Sequence, residues 1–258
     1  MLVKKIKLKG FNNNQLAGNF YQNSNSTGII FCHGLISNSQ EFGNFPEKLS
    51  QFGYQVLTFD YSGHGKSQGI KHLITQESHR KDTQAVIDFL LKNNLEKITI
   101  IGHSLGAYPA ILIASEEEKI SAAVLVCPSR KSGDNLVFYK KVIVWLIGWF
   151  YYFFGWLIRK EIYLNLKGKK LNIRYLSYAL KINNLKLASK INKPILIIAG
   201  AKDKDVSLEK IKSLYNKINS RDKKLLVLKK SGHNPFIGPD QKLLLNKINQ
   251  FIQQSEKN

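Results

Sequence analysis

Residues 97–110 read KITIIGHSLGAYPA, a run of β-forming apolar residues that enters Gly-His-Ser-Leu-Gly and leaves as a helix-forming stretch. A strand can reverse into a helix within so few residues only where no Cβ collides with neighbouring backbone, so Gly102 and Gly106 read as steric requirements. The same turn holds Ser104 at its tip with the hydroxyl exposed. The N-terminal N–H groups of the following helix then point toward any negative charge that develops there. Pro109 removes one helical donor, which is tolerable only near the start of a helix.

The rest of the chain has the same alternation. LVKKIKLK (2–9) and the stretch near QLAGNFY (15–21) flank a GFNNN turn and predict a hairpin. GIIFCHG (28–34), YQVLTFD (54–60), KITIIG (97–102), SAAVLVC (121–127), PILIIAG (194–200) and KLLVLK (224–229) predict buried strands. Their continuous apolar character suits a mostly parallel sheet covered on both faces. Helical periodicity at 83–93, 105–118, 207–218 and 241–252 fills the gaps. The expectation is an α/β sandwich with an eight-stranded, mostly parallel sheet and helices on both faces.

A serine hydroxyl needs a base, and the base needs an orienting acid. Of six histidines only His233, in SGHNPF after the strand at 224–229, lies downstream of Ser104. The acid is expected in GAKDKDV after the strand at 194–200, as Asp203, with Asp205 the alternative if the loop winds differently. A tetrahedral intermediate also needs two backbone N–H donors. Leu105, directly after the serine, is one candidate. Leu35 is the other, in the loop after GIIFC, with Gly34 allowing close backbone approach.

In that order, F-C-H-G-L, D-Y-S-G-H-G-K-S, G-H-S-L-G, G-A-K-D-K-D-V and S-G-H-N make the chain resemble the α/β-hydrolase superfamily. More narrowly, it is similar to the monoacylglycerol lipase, lysophospholipase and serine-aminopeptidase-like branch. The resemblance covers nearly the whole chain except 128–193. It implies a Ser104–His233–Asp203 triad with an oxyanion hole at Leu35 and Leu105, an α/β-hydrolase core at 1–127 and 194–258, and an inserted helical cap, or lid, at 128–193.

Two other motifs are set aside. DYSGHGKSQG (60–69) carries G-K-S after a strand, but a phosphate-binding loop needs Gly where this chain has Asp60. Gly63, Gly65 and Ser67 are expected to shape a turn beside the active site. His103 adjoins Ser104, yet the turn aims neighbouring side chains apart, so it is read as a packed, hydrogen-bonded histidine.

Charge is unevenly placed. Residues 128–193 hold 14 Lys or Arg against 2 Asp or Glu, a net of +12 within the chain's +21. Within them, VIVWLIGWFYYFFGWLI (142–158) runs 17 residues without a charge. As a helix it would be about 26 Å long, short of a hydrocarbon core of roughly 30 Å, and a span would split the sheet across a bilayer. As a cap helix it would align Phe138, Trp145, Trp149 and Trp156 within about 40° of one another. The tryptophans are then candidates for a hydrophobic acyl pocket. Aromatic rings beside Lys167, Lys169, Lys170 and Arg174 also suit peripheral contact with an anionic membrane, against the plainer reading of a cap packed on the core.

The N-terminus has no apolar run of signal-peptide length, and the two cysteines are too few for a disulfide framework, so a cytoplasmic location is expected. The scattered histidines give no metal-ligand spacing, and neither a metal nor a cofactor is expected. Nucleic acid is not expected as a partner, because apolar tryptophan-rich sequence interrupts the basic region. The expected activity is cleavage of carboxylic esters through an acyl-enzyme, on a monoacyl lipid or another medium- to long-chain acyl ester. Thioesterase, acyltransferase or aminopeptidase chemistry with the same triad is the alternative, and a non-catalytic membrane- or partner-binding protein is the alternative of another class.

Overall fold

The computed structural model describes residues 2–70, 75–129, 146, 149–150, 163–166, 169–172, 178 and 182–257. Strands β1 (Leu2–Lys9) and β2 (Gln15–Gln22) form the expected antiparallel hairpin. Its turn places Asn12 and Asn13 at φ of 52° and 58°, a left-handed conformation that Asn tolerates well. The buried strands follow as β3 (Thr27–Cys32), β4 (Gln55–Phe59), β5 (Lys97–His103) and β6 (Ile120–Val126). A short separate hairpin comes next, β7 (Tyr163–Leu166) with β8 (Lys169–Asn172), and then β9 (Ile195–Gly200) and β10 (Lys223–Leu228). The eight-stranded sheet runs β1-β2-β4-β3-β5-β6-β9-β10, parallel from β4 onward and antiparallel only at β1 and β2.

Helices α1 (Phe45–Ser50), α2 (Gln76–Lys92), α3 (Ala107–Glu116), α4 (Asn184–Ala188), α5 (Leu208–Lys217) and α6 (Gln241–Ser255) cover both faces. Strand alternation decides which face each residue joins. Ile30 and Cys32 of β3 pack with α2, α3 and α5, whereas Ile29 and Phe31 pack with α1 and α6. Helix α2 starts well before residue 83. Thr75 Oγ1 accepts from the Ser78 amide at 3.1 Å while Ser78 Oγ accepts from the Thr75 amide at 2.7 Å, a reciprocal cap that fixes the entry. The outer strand β1 exposes Lys4, Lys5, Lys7 and Lys9, charges that discourage pairing with another edge.

Parts of 128–193 are described. Strands β7 and β8 are an antiparallel pair inside a segment expected to be helical. Ile182, Ala188 and Ile191 are buried in the same cluster as α3. The reason is topological: β6 and β9 are parallel neighbours, and joining them requires a covered crossover. At the neck of the insertion, Asn184 Nδ2 donates to the Ser129 carbonyl at 2.7 Å. Phe138, Trp145 and Trp156 lie outside the described residues. Trp149 is half exposed, as are Leu146 and Phe150 near it.

Candidate active site

The carboxyl ends of β3, β5, β6, β9 and β10 share one rim of the sheet, the usual place for ligand sites in open α/β sheets. In register, Cys32 lies against Gly102, and His103 against Val126. Ser104 follows directly and adopts φ of 52°, a strained conformation for a residue with a side chain. The two glycines around it have no room for a Cβ. One on Gly102 would lie 2.4 Å from the Gly106 carbonyl oxygen, and one on Gly106 would lie 2.1 Å from that of Cys32. Chain continues as a 3-10 turn over Ser104–Gly106 and then α3, so the Leu105 amide is among the first donors of a helical stretch and has no partner within it.

The candidate base and acid come together at the serine. His233 Nε2 is 2.9 Å from Ser104 Oγ, and His233 Nδ1 is 2.8 Å from Asp203 Oδ2. An ionised carboxylate only accepts, so Nδ1 carries the hydrogen and Nε2 accepts from the hydroxyl. The Asp203 side chain is fully buried, and that of His233 is 23% exposed. Burial works to raise the Asp203 carboxyl, but the bond from His233 and the amides of Val206 and Asp205 outweigh it and hold the group below the usual carboxylate range. The alternative acid, Asp205, is an exposed residue whose amide donates to Asp203 at 2.8 Å. It supports the loop, and Asp203 meets the imidazole.

Leu105 is buried at this site, and the Leu35 side chain is exposed. Between Leu35 and the next turn, Ile36 takes φ of 47°, an outlier for a β-branched residue. Gly34 differs from its expected role. A Cβ there would lie 3.4 Å from Ser104 Cβ, an ordinary contact, so close approach does not require glycine. Its amide instead donates to Glu41 Oε1 at 2.8 Å. Glu41 was not singled out by sequence reasoning; its only local signal is an acid seven residues after H-G in an otherwise apolar and amide-rich loop.

The Gly63–Ser67 turn does lie beside these loops. Asp60 accepts from the Ser39 amide at 2.7 Å and the Lys66 amide at 2.8 Å, and a Cβ on Gly65 would lie 2.1 Å from that carboxylate. Cys127, Asp203 and His233 present atoms within 4.8 Å of one another. The Cys127 thiol is pushed up to about 12 by burial and by the Asp203 charge, and is therefore protonated near neutrality. These donors suit a hydrogen-bonded dyad better than a cation.

Sheet order and rim define an α/β hydrolase. The fold matches the α/β hydrolase GrgF from Penicillium sp. sh18 with a TM-score of 0.88 over 99% of each chain at 17% identity. The family described as serine aminopeptidase, S33 (Hydrolase_4) matches residues 24–160, more than half of the chain, and the chain belongs to that family. Among curated relatives, a putative esterase/lipase 2 of Mycoplasma pneumoniae is 29% identical over 105 residues, 40% of this chain and 38% of that protein. A probable alcohol acetyltransferase of Cyberlindnera fabianii is 32% identical over 85 residues, 33% of this chain and 22% of its own length. The chain thus matches less than half the length of either relative.

Among the described residues, no helix is long and apolar enough to cross a membrane.

Proposed function

We propose that the protein is a serine hydrolase that cleaves carboxylic esters through an acyl-enzyme, with a monoacyl lipid or another medium- to long-chain acyl ester as substrate. The observation that carries this reading is the hydrogen-bond chain from Ser104 through His233 to Asp203. Ser104 Oγ attacks the ester carbonyl while His233 Nε2 takes its proton. Asp203 orients the imidazole and stabilises it once charged. The amides of Leu35 and Leu105 donate to the oxyanion, each contributing on the order of 10²–10³ in rate. His233 then returns the proton to the leaving alcohol, and a water activated by His233 releases the acid.

The acyl preference rests on the apolar, basic insertion. The half-exposed Leu146, Trp149 and Phe150 belong to it, and Trp145, Trp149 and Trp156 are proposed to line the acyl pocket. The insertion is also proposed to bring the protein to an anionic membrane surface peripherally. The match to an acetyltransferase-named relative favours a second reading, in which an alcohol replaces water at the acyl-enzyme.

Fluorophosphonate labelling tests the nucleophile: wild type is expected to label and Ser104→Ala is not, and labelling that persists in Ser104→Ala refutes the assignment. A p-nitrophenyl ester series from acetyl to dodecanoyl tests the substrate. Activity confined to acetyl esters removes the acyl pocket, and ester synthesis outrunning hydrolysis in added ethanol favours the second reading.

A further inference from the structure

Beneath the serine lies a second buried pair that the proposed reaction does not use. Glu41 Oε1 accepts from the Gly34 amide and stands 3.0 Å from His103 Nδ1. The other ring nitrogen, His103 Nε2, stands 2.8 Å from the backbone carbonyl oxygen of His233. The Glu41 carbonyl in turn accepts from Asn234 Nδ2 at 2.9 Å. The two side chains are only 11% and 4% exposed, and the His103 ring lies between the His233 and Phe236 rings, at 5.2 Å and 5.6 Å. One contact set therefore ties together the loop after β3, the turn after β5 and the loop after β10.

Donor counting fixes its chemistry. A carbonyl oxygen only accepts, and so does an ionised carboxylate. His103 holds the Glu41 carboxyl below its ordinary range against the effect of burial, so Glu41 is the acceptor at Nδ1 and the His233 carbonyl the acceptor at Nε2. Both nitrogens then carry hydrogen, and His103 is an imidazolium balanced by Glu41. A carboxylate that left such a cation unpaired would be costly at this depth.

We propose that Glu41 and His103 are positioning residues: a buried ion pair that holds the oxyanion loop at Gly34 and the backbone of the general base at His233 in mutual register. The pair touches no substrate and acts through its neighbours. It orients the Leu35 amide by fixing the residue before it, and it sets the imidazole of His233 by holding that residue's own carbonyl. The proposal rests on the Ser104 hydrolase reading above. The groups facing the His103 ring are Glu41, His33 from the end of β3, Asp203 after β9 and His233 after β10. Burial works to lower His103, but the bond and charge of Glu41, with help from the His233 carbonyl and Asp203, outweigh it and raise the imidazole above its ordinary 6.5.

Two measurements test this. Long-range ¹⁵N–¹H NMR of the wild type at pH 7.5 is expected to find hydrogen on both His103 nitrogens, a signal independent of turnover; a single-tautomer neutral ring overturns the proposal even if every variant misfolds. The second is p-nitrophenyl butyrate hydrolysis by Glu41→Gln, which keeps an acceptor for Gly34 but removes the charge. Displacement of reacting groups by about an ångström costs roughly 10²-fold, so kcat is expected to fall 10- to 100-fold with KM nearly unchanged. Its activity is also expected to decline at lower pH on the alkaline side, and Glu41→Asp is expected to recover part of the loss. Wild-type kcat and pH profile in Glu41→Gln, with Ser104→Ala inactive, overturn the positioning role alone. Hydrolysis that persists in Ser104→Ala overturns the hydrolase reading beneath it.

Discussion

His103 and His33 are both buried on the same rim, yet their surroundings force opposite states. His33 Nδ1 stands 3.0 Å from the Gly34 carbonyl, so it donates, while its Nε2 accepts from the Tyr61 amide at 3.1 Å. One nitrogen donates and one accepts, which is a neutral imidazole. Burial lowers His33, more than the nearby Glu41 and Asp60 can offset. The same holds for His79, packed on Tyr61 and 3.2 Å from Tyr178 Oη, and held well below the ordinary value by burial with His64 and His33 nearby. His103 has the same burial but two acceptors. What differs is the partner at the second nitrogen, and the lesson is that burial alone does not set the charge of a histidine: the donor–acceptor pattern around it does.

His233 extends the comparison, because its Nδ1 faces a carboxylate and its Nε2 a hydroxyl. Replacing Asp203 with Asn offers that nitrogen an amide that can donate, which favours the tautomer with hydrogen on Nε2 facing Ser104. In the serine-protease triad this loss is about 10⁴ in kcat, and a comparable fall is expected here in steady-state ester hydrolysis. Retention of more than a tenth of wild-type kcat would break the parallel between His233 and the buried histidines His33 and His103.

A smaller effect is expected at the neutral site. His33→Phe keeps a ring against Tyr61 but leaves the buried Tyr61 amide without its acceptor, at a cost of about 1–3 kcal/mol. Urea unfolding reads it as a lower midpoint at unchanged slope.

The smallest effect concerns pH, and there the two kinds of site pull in opposite directions. His103 is raised in the folded state, so its stabilisation is complete below about 6.5 and is lost as pH rises through its folded value. His33 and His79 are lowered, so the unfolded chain takes up protons first as pH falls below about 6.5, and stability drops there. Urea midpoints between pH 5 and 9 are expected to fall on both sides of a maximum. Glu41→Gln is expected to flatten the alkaline side and leave the acid side; a wild-type curve that rises steadily to pH 9 contradicts the charged assignment of His103.

Much of this molecule was legible along the chain because its signals are local. Continuous apolar runs marked the strands of the parallel sheet, and the spacing of Gly102, Ser104 and Gly106 marked the turn, since steric exclusion of a Cβ depends on residues only a few positions away. The only histidine after Ser104 narrowed the base to His233. Helix α2 began earlier than its apolar period suggested, because a cap of Thr75 and Ser78 carries no hydrophobic signal. The packing of Ile182, Ala188 and Ile191 in one cluster with α3 was not legible in the sequence, because those contacts form only through space.

Amino-acid order by itself determined the alternation of strands and helices, the strained turn at Ser104 and the identity of the one downstream histidine, all consequences of near-neighbour sterics and periodicity. Only the tertiary structure brought Asp203 onto the His233 ring, and only it brought Glu41, 62 positions from His103, onto the ring of that histidine. Charge in a buried side chain depends on which atoms converge on it through space, and spacing along a chain does not encode that convergence.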